Sequence, residues 1–119
     1  MKILFILLSL SFACTSFASS DDKIFCSLLN IKRIKAIATT HSTFDKNLHC
    51  TVSCMLTLKC GAGEALAMGV LKEIQDLFGP GTADVEDLKA DKFGIGLATS
   101  QAARTDSQCL EQCDLYYHQ

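Results

Sequence analysis

Apolar residues recur at helical spacing along most of the chain, and no stretch alternates in the manner of a β-strand. Ile24, Leu28, Ile31 and Ile34 form the first stripe, with Asp21 and Asp22 ahead of it and Lys32, Arg33 and Lys35 toward its end. Acids at the start and bases at the finish suit the helix dipole, so this pattern predicts a helix over residues 22–38. Residues 39–44 hold no period and form a connection. From Asp45 to Cys60 the residues Leu48, Val52, Met55 and Leu56 share one face, and Gly61-Ala62-Gly63 supplies a stop. Cys50 and Cys54 each stand two residues from Val52, about 200° around the helix and therefore on its other side. Both sides of this second helix need covering, which places it at the centre of the domain.

A third helix opens at Glu64, with Leu66, Val70, Leu71, Ile74, Leu77 and Phe78 as its inward residues and Lys72, Glu73, Gln75 and Asp76 between them. Gly79-Pro80-Gly81 ends it. Thr82 or Asp84 caps a fourth helix, Asp84 and Asp87 having capping-box-like spacing. Val85, Leu88 and Phe93 are its expected buried side, and Gly94-Ile95-Gly96 its expected end. A polar connection leads to a last helix over residues 106–117. The fold class that follows is all-α, a small four- to five-helix bundle.

The first residues change the picture of length. Lys2 precedes the apolar run Ile3 to Leu10, which is shorter than the ~20 residues needed to cross a bilayer. Ser16 and Ala18 then provide small residues at the −3 and −1 positions of an export signal, so cleavage is expected after Ala18. The alternative, lipidation at Cys14, is disfavoured by Ser11 and Phe12. Residues 1–18 are thus a signal peptide and residues 19–119 a single domain, without a membrane-spanning segment. Loss of Lys2 leaves ten basic against 13 acidic residues. That balance argues against nucleic acid as a partner, because no basic excess is available to displace counterions.

Cleavage also leaves six cysteines: Cys26, Cys50, Cys54, Cys60, Cys109 and Cys113. An even number in a small exported domain implies disulfides and a secreted or periplasmic location. Cys50/Cys54 and Cys109/Cys113 are both i,i+4 pairs, each on one face of its helix. Two such helices side by side form two bridges. An antiparallel arrangement joins Cys50 to Cys113 and Cys54 to Cys109, and a parallel one exchanges the partners. The antiparallel set is the working assignment, leaving Cys26 for Cys60. Each bridge, closing a loop of tens of residues, contributes roughly 3–4 kcal/mol in the chain-entropy view. Zinc on the Cys-x3-Cys pairs, with His49 beside them, is the competing use of the sulfurs. Export and pairing favour bridges, so no metal or cofactor is expected, and the absence of Cys-x-x-Cys argues against thiol redox catalysis.

Catalytic candidates are few. His41, His49 and His118 could act as bases, and Glu73 with Asp76 forms a one-turn acidic pair; convergence of His49 with Glu73 or Asp76 would suit ester or phosphodiester hydrolysis. The simpler expectation is that Glu73 and Asp76 lie on a solvated face, with Lys72 and Asp76 paired at i,i+4. Lys32, Arg33 and Lys35 could touch an anionic membrane surface or a protein, and Tyr116 and Tyr117 are expected to pack near the Cys113 bridge.

The order His49-Cys50-x3-Cys54, Gly61-x-Gly63, Gly69-Val-Leu-Lys-Glu73-x2-Asp76 and Asp87-Leu-Lys-Ala90-Asp91-x2-Gly94 resembles a helical module at the C-termini of some Rhs-type and other secreted bacterial proteins. More distantly it resembles the serum amyloid A family, which carries a His, a Gly-rich turn, an acidic helix and an Ala-Asn-x-x-Gly element in that order. The chain has Asp91 in place of that Asn, and cysteines that serum amyloid A lacks. The resemblance spans residues 48–95 and implies a compact four-helix arrangement without naming a substrate. The functional expectation is a secreted, non-enzymatic protein that binds a macromolecular partner, as an effector or envelope-associated factor. A small hydrolase or toxin-like domain using His49 with Glu73 or Asp76 is the alternative. A third option is an apolar ligand between helices, in a cavity lined by residues such as Leu66, Val70 and Phe93.

Overall fold

The structure, a computed structural model, describes residues 26–117. The expected signal peptide, Cys14, the start of the first helix with Ile24, and His118 lie outside the described residues. Within them the chain is helical, with no strand: α1 (described over 26–41), α2 (Asp45–Cys60), α3 (Ala62–Phe78), α4 (Val85–Thr99) and α5 (Asp106–Tyr117). None of the described helices is long and apolar enough to cross a membrane.

α2 is the central element. Cys50, Cys54, Met55 and Leu56 are fully or almost fully buried on it, and α3, α4 and α5 all pack against it. Three disulfides fix the surrounding helices: Cys26–Cys60, Cys50–Cys113 and Cys54–Cys109, with Cα separations of 5.7, 5.8 and 5.7 Å. The last two bind α5 antiparallel to α2, the working assignment and not the parallel alternative that the same spacing allows. Contacts from Lys46 to Asp87 and from Ser53 to Asp91 show that α4 runs parallel to α2. α3 returns between them in the opposite sense, since Gly69 meets Asp91 while Glu73 meets Asp84.

Several boundaries differ from the sequence expectation. α1 continues to residue 41. Gly61 alone separates α2 from α3, with φ of 99° in the region that glycine tolerates and other residues avoid; α3 therefore begins at Ala62, before Glu64. α4 does not stop at Gly94-Ile95-Gly96 but runs on to Thr99. The reason is packing: a Cβ on Gly94 would overlap the Cys50 carbonyl of α2, so this glycine permits close helix approach and is not a terminator. Of the two candidate caps, Asp84 is the one that accepts from Glu86 N–H, at 2.9 Å.

The largest correction concerns α3. Its inward side is Ala65, Gly69 and Glu73, with Glu64 also buried, whereas Leu66, Val70, Leu71, Ile74, Leu77 and Phe78 are all exposed, Phe78 to 89%. Helical period identifies a stripe but not which way it faces. Here the small residues face α4 because the Asp91 carboxylate fills the space over Gly69, where no side chain would fit. Val85, expected in the core, is likewise exposed, while Leu88 and Phe93 are half-buried. Tyr116 stacks on Phe93 with ring centroids 4.4 Å apart, and Tyr117 meets both rings edge-on. The C-terminal aromatics thus close over α4.

Candidate functional site

α2 and α4 meet along a seam of charged and polar side chains. Lys46, His49 and Ser53 stand at i, i+3 and i+7 of α2, on one face, and Asp84, Asp87 and Asp91 follow at similar spacing along α4 and its cap. Lys46 Nζ bonds Asp84 Oδ2 at 2.5 Å and also reaches Asp87 Oδ1. His49 Nδ1 lies 3.0 Å from Asp91 Oδ1, and its Nε2 lies 3.4 Å from Asp87 Oδ2 and 3.9 Å from Asp45 Oδ1. Ser53 Oγ donates to the same Asp91 oxygen at 2.8 Å. Asp87 and Asp91 are 3% and 2% exposed, so this pairing is what makes their burial tolerable.

The electrostatics follow from the contacts. Burial of His49 opposes its charge, but the hydrogen bond with Asp91 and the charges of Asp91, Asp87 and Asp45 outweigh it and raise the imidazole pKa above 6.5. Doubly protonated, the ring donates from both nitrogens to carboxylates. Burial pushes the Asp87 carboxyl up, against the opposing effects of the Lys46 bond and the His49 charge. Lys46 is likewise raised, its bonds to Asp84 and Asp87 overcoming desolvation.

Beside this seam lies a cavity of about 720 Å³, with α2 as its floor and α1 and α3 as walls. That volume lies within the ~300–1,000 Å³ typical of small-molecule pockets. Ile31, Leu56, Ala65 and Met68 make the end near the Cys26–Cys60 bridge wholly apolar. Lys35, Asp45, His49, Lys72 and Gln75 gather toward the other end, beside Leu48, Leu71 and Ile74. Asp91 and Gly69 line it at mid-length. Leu66, Val70 and Phe93, named from sequence as a possible lining, are not part of this cavity: Leu66 and Val70 point away from it on α3, and Phe93 is engaged with the tyrosines.

The sequence-named chemical residues are therefore distributed. His49 is in the seam, with partners Asp45, Asp87 and Asp91. Glu73, expected on a solvated face, is buried and accepts from Asp84 N–H at 2.7 Å, holding the α3–α4 connection. Asp76 pairs with Lys72, as its spacing predicts. Among the described residues no hydrogen bond or ion pair joins His49 to Glu73 or Asp76, and His41 is exposed at the end of α1. Lys32, Arg33 and Lys35 are exposed on α1, with Lys35 at the cavity wall.

Asp87, Asp91, Ser53 and Lys46 are the participants that sequence reasoning missed. Their signal was the matching i, i+3/i+4, i+7 spacing on two helices that also carry the cysteines and Gly94. The three cysteine and acid atoms of Cys26, Cys60 and Glu64, and those of Asp45, His49 and Asp87, are close enough to share an ion. The first group has its sulfurs in a disulfide, and the second has its charges met by Lys46 and His49. No family model, curated protein or solved structure matches the chain.

Proposed function

We propose that the protein is an exported binding protein that engages a protein partner through the outward side of α3, without catalysing a reaction. The observation that supports this reading is the stripe of Leu66, Val70 and Leu77, at i, i+4 and i+11 on the helix side opposite the cavity, exposed to 43%, 40% and 68%. Phe78, the last residue of α3, and Val85, the first of α4, are also exposed, at 89% and 69%. Contiguous exposed apolar surface of this kind marks interaction sites, whereas single exposed leucines do not. The three disulfides suit a domain working outside the cytosol, where a stable core must be maintained without a large buried apolar volume. A hydrolytic site on His49 with Glu73 or Asp76 has no supporting contact among the described residues, and both ring nitrogens of His49 already face carboxylates.

A photo-crosslinking residue placed at Val70, compared with one at the exposed Glu111 of α5, tests the proposal in the secreting organism's own medium or envelope fraction. The reading requires a discrete crosslinked protein from position 70 and none from position 111. Equal or absent crosslinking from the two positions would count against it.

A further inference from the structure

The α2–α4 seam holds more negative charge than its bases neutralise: Asp45, Asp84, Asp87 and Asp91 face only Lys46 and His49 there. Lys46 takes one side of the group. It bonds Asp84 and Asp87 Oδ1 and stands 3.7 Å from Asp45 Oδ2. The other oxygens, Asp45 Oδ1 and Asp87 Oδ2, both face His49 Nε2, at 3.9 and 3.4 Å. Asp45, His49 and Asp87 each offer a ligand atom within 4.8 Å of the other two. Carboxylates this close repel one another unless a cation or a proton lies between them.

The separations around Nε2 are long for hydrogen bonds and suit ligands of one ion. A donation from a ring N–H ordinarily spans ~2.7–3.2 Å, whereas atoms held about 2.0–2.2 Å from a tetrahedral zinc stand about 3.3–3.6 Å from each other. The His49–Asp87 distance falls in that range, and the Asp45 side chain, 66% exposed, has the freedom to close the small remainder. The ring is already oriented for such a role. Its Nδ1 lies 3.0 Å from Asp91 Oδ1, and Asp91 is 2% exposed and further fixed by Ser53. A carboxylate on Nδ1 keeps the proton on that side and aims the Nε2 lone pair, the support that metal-bound imidazoles commonly have. Asp45 and His49 also line the cavity, which gives an ion access and leaves room for water as a further ligand.

We propose that Asp45 Oδ1, His49 Nε2 and Asp87 Oδ2 bind one divalent transition-metal ion, with Zn2+ as the ion whose ligand spacing the site matches. An imidazole ligand favours such ions over Mg2+ and Ca2+, which take oxygen ligands. The ion replaces the Nε2 proton of the charged ring, which leaves to solvent, while Lys46 keeps the far oxygens. The proposal is independent of the protein-docking reading, because none of the three ligands belongs to α3.

Isothermal titration of the oxidised, chelator-treated protein with Zn2+ and with Mg2+ tests it. One Zn2+ per chain is expected, bound at least tenfold more tightly than Mg2+. His49→Ala and Asp45→Asn should each weaken Zn2+ binding at least tenfold, the scale of losing one member of a metal site. Asp45 is exposed, so Asp45→Asn leaves the fold intact and decides the matter even if His49→Ala does not fold. His41→Ala, at the exposed end of α1, should leave Zn2+ binding unchanged, as should Leu66→Asp with Val70→Asp, which separates this proposal from the docking one. No saturable Zn2+ binding, Mg2+ bound as tightly as Zn2+, loss of binding in His41→Ala, or full Zn2+ affinity in the Asp45→Asn protein would overturn the proposal.

Discussion

Along the α2–α4 seam, Ser53, Asp87 and Asp91 are buried and His49 nearly so, each with a defined partner; on the outer side of α3, Leu66, Val70 and Leu77 stand in solvent. The two regions are built on opposite terms. In the seam, Gly94 brings the α4 backbone against that of Cys50, and paired charges line the rest of the contact. Around it, disulfides from Cys50 and Cys54 strap α5 onto the same helix. α3 is held by its small edge, Ala65 and Gly69, and by Glu73, so its apolar residues are not consumed by the core. Stability and surface chemistry are thereby separated: one side of the molecule is locked by bridges and paired charges, and the other leaves apolar side chains exposed.

The comparison breaks first at its covalent part. Replacing Cys54 and Cys109 together by alanine should cost roughly 4 kcal/mol in the chain-entropy view, read as a lower urea midpoint. Full reduction should abolish near-ultraviolet dichroism, because net domain stability is only about 5–15 kcal/mol. Gly94→Ala comes next. Its new methyl group meets the Cys50 backbone, which cannot turn aside as a side chain would, so a loss of about 2–3 kcal/mol is expected by thermal or urea unfolding. Gly96→Ala, where a Cβ meets nothing, should be neutral or mildly stabilising and serves as the matched control.

His49→Ala leaves Asp91 with Ser53 and Asp87 with Lys46, and should cost about 2 kcal/mol near neutral pH. The same residue gives a pH signature. Its folded pKa is raised above 6.5, so the stabilisation is complete below that value and is lost as pH rises through the higher folded one. Stability of the unmodified protein should therefore decline on going from neutral to mildly alkaline solution. His49→Gln should flatten that decline; an unchanged slope in the variant would show that another group titrates there.

The contrast also explains what the sequence could and could not convey. Helix positions were legible because apolar period and glycine punctuation are local, and the bridges because i,i+4 cysteines on two helices admit few matches. The direction in which α3 faces was not legible. Its strongest apolar stripe and its small-residue edge both have helical period, and only the presence of Asp91 above Gly69 decides between them. Gly94 misled for a related reason: a glycine that ends a helix and one that admits a neighbouring helix look alike until the neighbour is known. The seam itself was half visible. His49 was singled out, but its partners lie some forty residues away on α4, and Glu73, the nearer suggestion by motif, is instead bonded to the Asp84 backbone. The unpaired oxygen of Asp91 has no sequence signature at all, since it depends on a glycine from a third helix.

The smallest expected effect is the most telling. The triple variant Leu66→Asp, Val70→Asp, Leu77→Asp removes the apolar stripe without touching the seam or the bridges. Urea unfolding of this variant beside the unmodified protein measures directly whether the stripe belongs to the fold. A midpoint within the equivalent of about 1.5 kcal/mol of the original is predicted, three surface substitutions at about 0.5 kcal/mol each. A loss of several kcal/mol would mean that these side chains are core after all, and that α3 has no face to spare for a partner.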